Sequence, residues 1–598
     1  MFFDSDMLPA GPDSAVGELW RSSETSEQVA ERWLDGADTS RLFLFLQLSE
    51  PYAPYVSDVR PADDSSYDAQ VVRADEAVGR LIRYLKGHQL YDRSTIILVS
   101  DHGEGLGDHG EQAHGLFVYE EALHVPLIIK QAGAEGAGRR VADPVQHVDL
   151  VPTVLDLAKA PGSGNLSGRS LKPLLERSGR LAPRMIYSES LYAWYHFGWS
   201  ELTSITDGRY RYIRAPREEL YDLEIDPKQQ NNLAAAAPGE LSDVPGIIDS
   251  FRHELKKFGA GVAIPQPAAI SVGEREHLDA LGYVGHGPAT PQSDASISAS
   301  IDPKDRFAVV ETYRAAVRLG VARRWSDAIN LLRTALREEP DRIDLWNQLA
   351  TFAGQAGRDD QAAAAYKRIL ALEPTSAHAH LGAAASLLKL RRLEEARQQA
   401  GPVAKAESAS AQERAAAHAL LAEIALARDE ADTARDEAVL ARAMDSRLPM
   451  PAYVEARLLY DQGRVSDALP HFDKTIAELN AARGGPMAEL HYYAGDTLSR
   501  LKQYPQAQRE FLEELTYFPQ NSRARVALAT VYRKTGRMDE ASATISALVR
   551  FSPTPETYRL AARLWETFGD PRQAAAVRAE ARRRLSAPAP QAGSRTQQ

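Results

Sequence analysis

No cysteine occurs among the 598 residues, which excludes disulfides and thiolate metal sites but leaves the cellular compartment open. Basic residues are also in deficit. Lys and Arg number 70 against 82 Asp and Glu, a net charge of −12. A chain so charged is a poor match for general nucleic-acid or anionic-membrane binding. No apolar run reaches membrane-span length, and Met1 is not followed by a charged stretch and apolar core of the export-signal type. What is present, 44% hydrophobic residues over this length, predicts a soluble protein of several domains with real cores.

The chemistry concentrates after one short apolar run. Residues 95–100 read as a buried strand, four apolar and mostly β-branched residues of the kind found at the centre of an α/β sheet. At its carboxyl end stand Asp101, His102 and Glu104, and in open α/β sheets that edge is where ligands bind. An oxygen donor beside a nitrogen donor suits a hard or borderline divalent cation. The run continues through Asp108, His109 and His114 in a glycine-rich polar loop, the texture of an active-site loop.

These residues, followed by Tyr119-Glu120-Glu121 and His124-Val125-Pro126-Leu127, resemble the sulfatase family of the alkaline phosphatase superfamily. Further matches come in family order: His147-Val-Asp149 with Pro152-Thr153, then His196 with Gly198-Trp199, then Glu219-Leu-Tyr221-Asp222 with Asp226-Pro227 and Asn232-Leu233. A segment at 278–285 is similar to the one that closes this domain in chains fused to helical repeats. The resemblance implies an α/β domain, N-terminally incomplete, over residues 1–285. It also implies a divalent cation (calcium, manganese or zinc) held by Asp101 and His102. His114 would act on the leaving group of a sulfate or phosphate ester, and His196 and Trp199 would shape the substrate pocket.

Two departures qualify the activity. Relatives open the domain with a strand bearing two metal-binding aspartates and then a nucleophile loop, whereas residues 1–6 resemble the middle of such a domain. With no cysteine and no Ser-x-Pro-x-Arg, neither route to formylglycine exists in this sequence. Without an activated nucleophile the covalent mechanism has no first step, so the expectation is a hydrolase domain inactive as it stands. Gln47 and Tyr52 occupy places where relatives usually carry His, and neither is a good general base near neutrality. The alternative is a non-catalytic scaffold that retains a vestigial hydrolase domain.

Along the first domain, residues 42–48 and 125–130 read as strands, and 67–86 as a helix with Val71, Ala74, Val78, Ile82 and Leu85 on one face. A helix follows at 148–158, then antiparallel strands at 186–189 and 203–214, the latter turning at Asp207-Gly208. The pattern predicts a parallel-core sheet with an α+β appendage and an exposed edge. Glu104 and His109 read as loop scaffolding, and His124 as a satisfied buried histidine.

Residues 286–302 are rich in Gly, Pro and Ser and read as a linker. Beyond them Pro340 to Pro374 is a step of 34 residues, repeated from Pro519 to Pro553, the tetratricopeptide spacing. Trp346, Tyr366 and Tyr532 fall at core signature positions, and Ala362 and Ala541 at small ones. Residues 303–585 are therefore expected to form an all-α solenoid whose concave face takes a protein or peptide. The tail 586–598 is expected to be disordered.

Overall fold

The computed structural model describes residues 23–37, 41–48, 67–162, 166–176, 179–235, 243–259, 297, 299–481, 486–551 and 553–585. The readings of residues 1–6, Tyr52, 278–285, 286–296 and 586–598 lie outside these. The described residues form two compact units, 23–308 and 309–585.

In the first unit, helices α1 (Ser23–Gly36) and α2 (Tyr67–Gly87) pack together through Arg80 Nε on the buried carboxylate of Glu27, 2.6 Å away. The expected apolar face of α2 is only partly covered: Ala77 and Gln70 are buried, whereas Val71 and Val72 are exposed. Strand β1 (Ile96–Val99) pairs with β2 (Leu127–Lys130) in an antiparallel ladder running from Ile96 opposite Lys130 to Val99 opposite Leu127.

Here the structure departs from the sequence reading. All strands among the described residues are antiparallel, and β1 is half-buried, its Leu98 exposed beside Ile128. Residues 42–48 form no strand and pair with none among the described residues, and Phe43 is 72% and Phe45 78% exposed. β-propensity makes these residues fit a pleated, half-buried surface, but a strand exists only where a neighbour completes the ladder.

The appendage matches its expectation. Strands β3 (Ile186–Ser190), β4 (Leu202–Thr206), β5 (Tyr210–Arg214) and β6 (Glu219–Asp222) form one antiparallel sheet in sequence order. The β4–β5 turn is made by Asp207, whose Oδ1 accepts from the N–H groups of Arg209 and Tyr210 at 2.8 Å. Gly208 follows at φ 102°, a conformation that costs glycine nothing. Ile205, Tyr212 and Leu220 on one face of this sheet pack on Phe251 and Leu255 of the helix Val244–Gly259. The C-terminal part of the stretch read as linker is packed in this unit: Asp302 is buried, and Ile301 accepts a bond from the Ser200 N–H at 3.0 Å.

The second unit is a run of helices, and from Trp325 to Leu585 each packs on the next. Its register is set by alanine. Ala328, Ala362, Ala396, Ala434, Ala468, Ala507, Ala541 and Ala574, one in the second helix of each pair, are almost completely buried. Opposite them aromatic rings enter notches left by glycine. A Cβ on Gly320 would stand 2.1 Å from the Phe352 ring, on Gly382 2.3 Å from Tyr366, and on Gly495 2.8 Å from Phe511. Small residues admit the neighbouring helix and large ones fill the space, so each pair is specified by shape.

Trp346 differs from its expected core placement. It is half-buried, and its Nε1 donates to the Pro340 carbonyl at 2.8 Å. His380 Nε2 lies 3.1 Å from the Pro374 carbonyl, and Arg525 Nε donates to that of Pro519 at 3.0 Å. Each bridges six positions back to the proline that ends the preceding pair.

Candidate active site

The loop leaving β1 is drawn tight against the chain that follows it. Gly103 N donates to Ala122 O at 2.9 Å and Gly105 N to Ala113 O at 2.8 Å. A Cβ on Gly103 would stand 2.0 Å from the Glu121 carbonyl, so no other residue fits this approach. The buried Glu111 closes the loop by accepting from the N–H groups of Leu116 and Phe117, both at 3.0 Å.

Within this frame the structure brings three of the predicted residues together. Asp101 is largely exposed; its Oδ1 accepts from His102 N at 3.0 Å, and its Oδ2 lies 3.7 Å from His102 Nε2. His102 Nδ1 is 2.9 Å from the Gly103 carbonyl. A carbonyl only accepts, so Nδ1 carries a proton; in the neutral ring that leaves the lone pair on Nε2, the arrangement found in metal-ligating histidines. The His114 ring stacks on that of His102 with centroids 3.8 Å apart, and its Nδ1 lies 3.2 Å from Glu104 Oε2. Asp101 and His102 thus supply two donors of the right chemistry. Among the described residues no group of three or more potential ligands is placed to hold an ion.

His109 works as a clamp. Its backbone is left-handed at φ 50°, and the ring is fixed by Glu121 at 2.7 Å, the Gln229 carbonyl at 3.1 Å and stacking on Tyr119. Burial opposes protonation of this ring, but the Glu121 and Gln229 hydrogen bonds outweigh it and raise the pKa. A histidine raised in the folded state stabilises fully below its unfolded value, about 6.5, and the gain fades as pH rises through the folded value. His109→Gln should therefore lower the melting temperature more at about pH 6 than at about pH 8.5. Equal losses at the two pH values in calorimetry would remove this account.

The other predicted residues lie elsewhere. His124, expected buried, is exposed and faces Glu120 at 3.2 Å one turn back, because the short helix Glu120–Leu123 ends there and projects it outward. His196 and Trp199 are both buried; Trp199 is 0% exposed and stacks on Phe197 at 4.4 Å. His147 reaches back to the site, its Nε2 lying 2.8 Å from the Ser100 carbonyl. The motif around 219–232 is scaffold: Asn232 Oδ1 accepts from Leu220 N at 3.0 Å, and Asp226 from Gln230 and Asn231 N–H groups. Glu219 accepts from both Tyr119 and Tyr221 hydroxyls, and burial beside that carboxylate pushes both phenols far above their ordinary range. The sequence reading missed that Glu104 faces His114; a contact ten positions apart in an aperiodic loop leaves no spacing signal.

From Ala377 to Thr567, first helices of successive pairs touch one another, as between Met450–Asp461 and Leu490–Arg500, and share one face. Arginines lie over tyrosines along it: Arg457 is 3.6 Å from the Tyr493 ring centroid, Arg500 4.5 Å from Tyr460 and Arg523 4.4 Å from Tyr492.

Comparison with known proteins agrees with this division. A family description for sulfatases matches residues 18–160, and one for the C-terminal region of N-sulphoglucosamine sulphohydrolase matches 107–255. Tetratricopeptide-repeat descriptions match 313–377, 347–411 and 502–564. The N-acetylglucosamine-6-O-sulfatase of Bacteroides thetaiotaomicron is 31% identical over 226 residues, 35% of this chain and 38% of that protein. Arylsulfatase K of Homo sapiens is 32% identical over 212 residues, 32% of this chain and 36% of that protein. Similar solved structures include the phosphonate monoester hydrolase of Agrobacterium radiobacter, at 25% identity and TM-score 0.29, covering 42% of this chain and 51% of that one. Another is a tetratricopeptide repeat protein from Parabacteroides merdae, at 13% identity and TM-score 0.31, covering 44% and 99%. The chain spans little more than a third of the length of these two sulfatase relatives. Sulfatases generally use a divalent metal, and tetratricopeptide repeats suggest protein partners.

Proposed function

From a sulfatase-family region joined to tetratricopeptide repeats, we propose a metal-dependent ester-hydrolase domain carried with a protein-docking array. The ester is a sulfate or phosphate. The observation that carries this reading is the corner at the end of β1, where Asp101 Oδ2 and His102 Nε2 stand 3.7 Å apart beside the stacked His114. A cation bound there would polarise an ester oxygen. Asp101 and His102 would hold it, with the Gly103 carbonyl keeping the imidazole in its ligating tautomer. His114 would carry the proton for the departing oxygen, while His196 and Trp199 would shape the substrate pocket.

These 598 residues hold neither a cysteine nor a Ser-x-Pro-x-Arg nucleophile, so the proposal includes no turnover of nitrophenyl sulfate or phosphate by the chain as it stands. Hydrolysis abolished by Asp101→Ala would contradict that. The cation has a test independent of turnover. Manganese, zinc or calcium should raise the melting temperature of the first unit, and Asp101→Ala with His102→Ala should remove the rise. An unchanged rise in the double variant would place the ion elsewhere.

A scaffold reading is favoured by one observation: Asp101 is 77% exposed at its side chain, with no third ligand beside it among the described residues. No cation-dependent shift at all would support it. In either reading a protein partner is expected on the face bearing Arg457, Arg500 and Arg523.

A further inference from the structure

Two glutamates are buried in the loop after β1, and they are used differently. Glu111 satisfies both oxygens on backbone N–H groups and closes the loop. Glu104, 7% exposed, turns to a side chain instead: its Oε2 is 3.2 Å from His114 Nδ1. Its Oε1 is buried with no hydrogen-bond partner among the described residues. Removing a carboxylate from water is costly when one oxygen stays unsatisfied, and such local violations concentrate where a site needs them. Backbone closure does not need Glu104, because Glu111 and the Gly105–Ala113 bond already supply it. His114, for its part, is mostly buried and stacked on His102, one of the two cation donors.

Resting on the hydrolase reading above, we propose that Glu104 is a positioning residue for His114. Its carboxylate accepts the Nδ1–H and fixes the ring plane against His102, so that Nε2 faces the ester oxygen. Nε2 takes up a proton from water to give the imidazolium and passes that proton to the departing oxygen, while Nδ1–H stays on Glu104. The logic is that of a carboxylate orienting a catalytic imidazole: the proton is held on the far nitrogen so that the near one carries the chemistry.

The test is the tautomer of His114 in the full chain labelled with 15N-histidine, its signals assigned by their loss in His114→Gln. At about pH 8, long-range proton–nitrogen spectra should show His114 protonated on Nδ1. Glu104→Leu should lose that pattern and show Nε2–H, the form free imidazole side chains favour, and Glu104→Gln, which keeps an acceptor oxygen, should restore part of it. A merely structural Glu104 would lower the melting temperature and leave the tautomer unmoved, which would overturn the proposal. Should Glu104→Leu not fold, the wild-type spectrum decides, since an Nε2–H tautomer there is equally fatal. Inorganic phosphate, standing in for the ester, should shift the His114 Nε2 resonance in the wild type; no shift contradicts the role given to Nε2. The spectrum needs neither metal nor turnover. Absence of cation uptake with Nδ1–H intact removes the hydrolase reading, whereas cation uptake with Nε2–H removes this one.

Discussion

Asp149→Ala should destabilise the first unit by about 3–5 kcal/mol, the usual loss when one partner of a buried charge pair is deleted. The carboxylate is completely buried. It pairs with Arg184, and accepts from Gln146 N at 3.1 Å and Arg169 N at 2.9 Å. Thr153, also buried, donates to the Asp149 carbonyl and accepts from Leu171 N, so one turn of chain ties three segments together. Alanine would strand a guanidinium and two N–H groups at once. Asp149→Asn, which keeps acceptor oxygens, should cost less. Hydrogen exchange over residues 146–171 would report the loss, and protection unchanged in the alanine variant would sink the assignment.

Phe511→Ala should cost the array about 3–5 kcal/mol, the range for emptying a buried aromatic site. Phe511 is fully buried among Leu498, Leu515 and Leu528, and its ring fills the notch over Gly495. In a stacked array each unit contacts only its neighbours, so the damage should stay local. Exchange protection should fall across the helices Leu490–Arg500, Tyr504–Tyr517 and Ser522–Lys534, and hold in Ile343–Gln355. A uniform fall through all helices would show that the array unfolds as one block instead.

The sequence disclosed most where physics is local and periodic. The hairpin at Asp207-Gly208 needs only one side chain and one glycine, and both are where the strands turn. The repeats were legible because Ala362 and Ala541 mark buried steps of a regular period. Elements whose stability depends on distant partners were not. Residues 42–48 have strand propensity and no strand, because no ladder among the described residues receives them. His124 reads like a core histidine until the end of a four-residue helix turns it outward. At the site, Asp101, His102 and His114 were visible as residue types at the end of a strand. Their supports, Glu104 and the Gly103 carbonyl, depend on how an aperiodic loop folds back, which no spacing encodes.

Trp346, His380 and Arg525 have little in common as residue types, yet each has a nitrogen within hydrogen-bond reach of the same carbonyl of the preceding pair. At these three seams one contact, a ring or guanidinium nitrogen on the proline carbonyl, is made by three unlike side chains. Alignments that score by residue similarity would treat this column as noise. An engineer building longer arrays from these units has three different side chains to choose from for that contact.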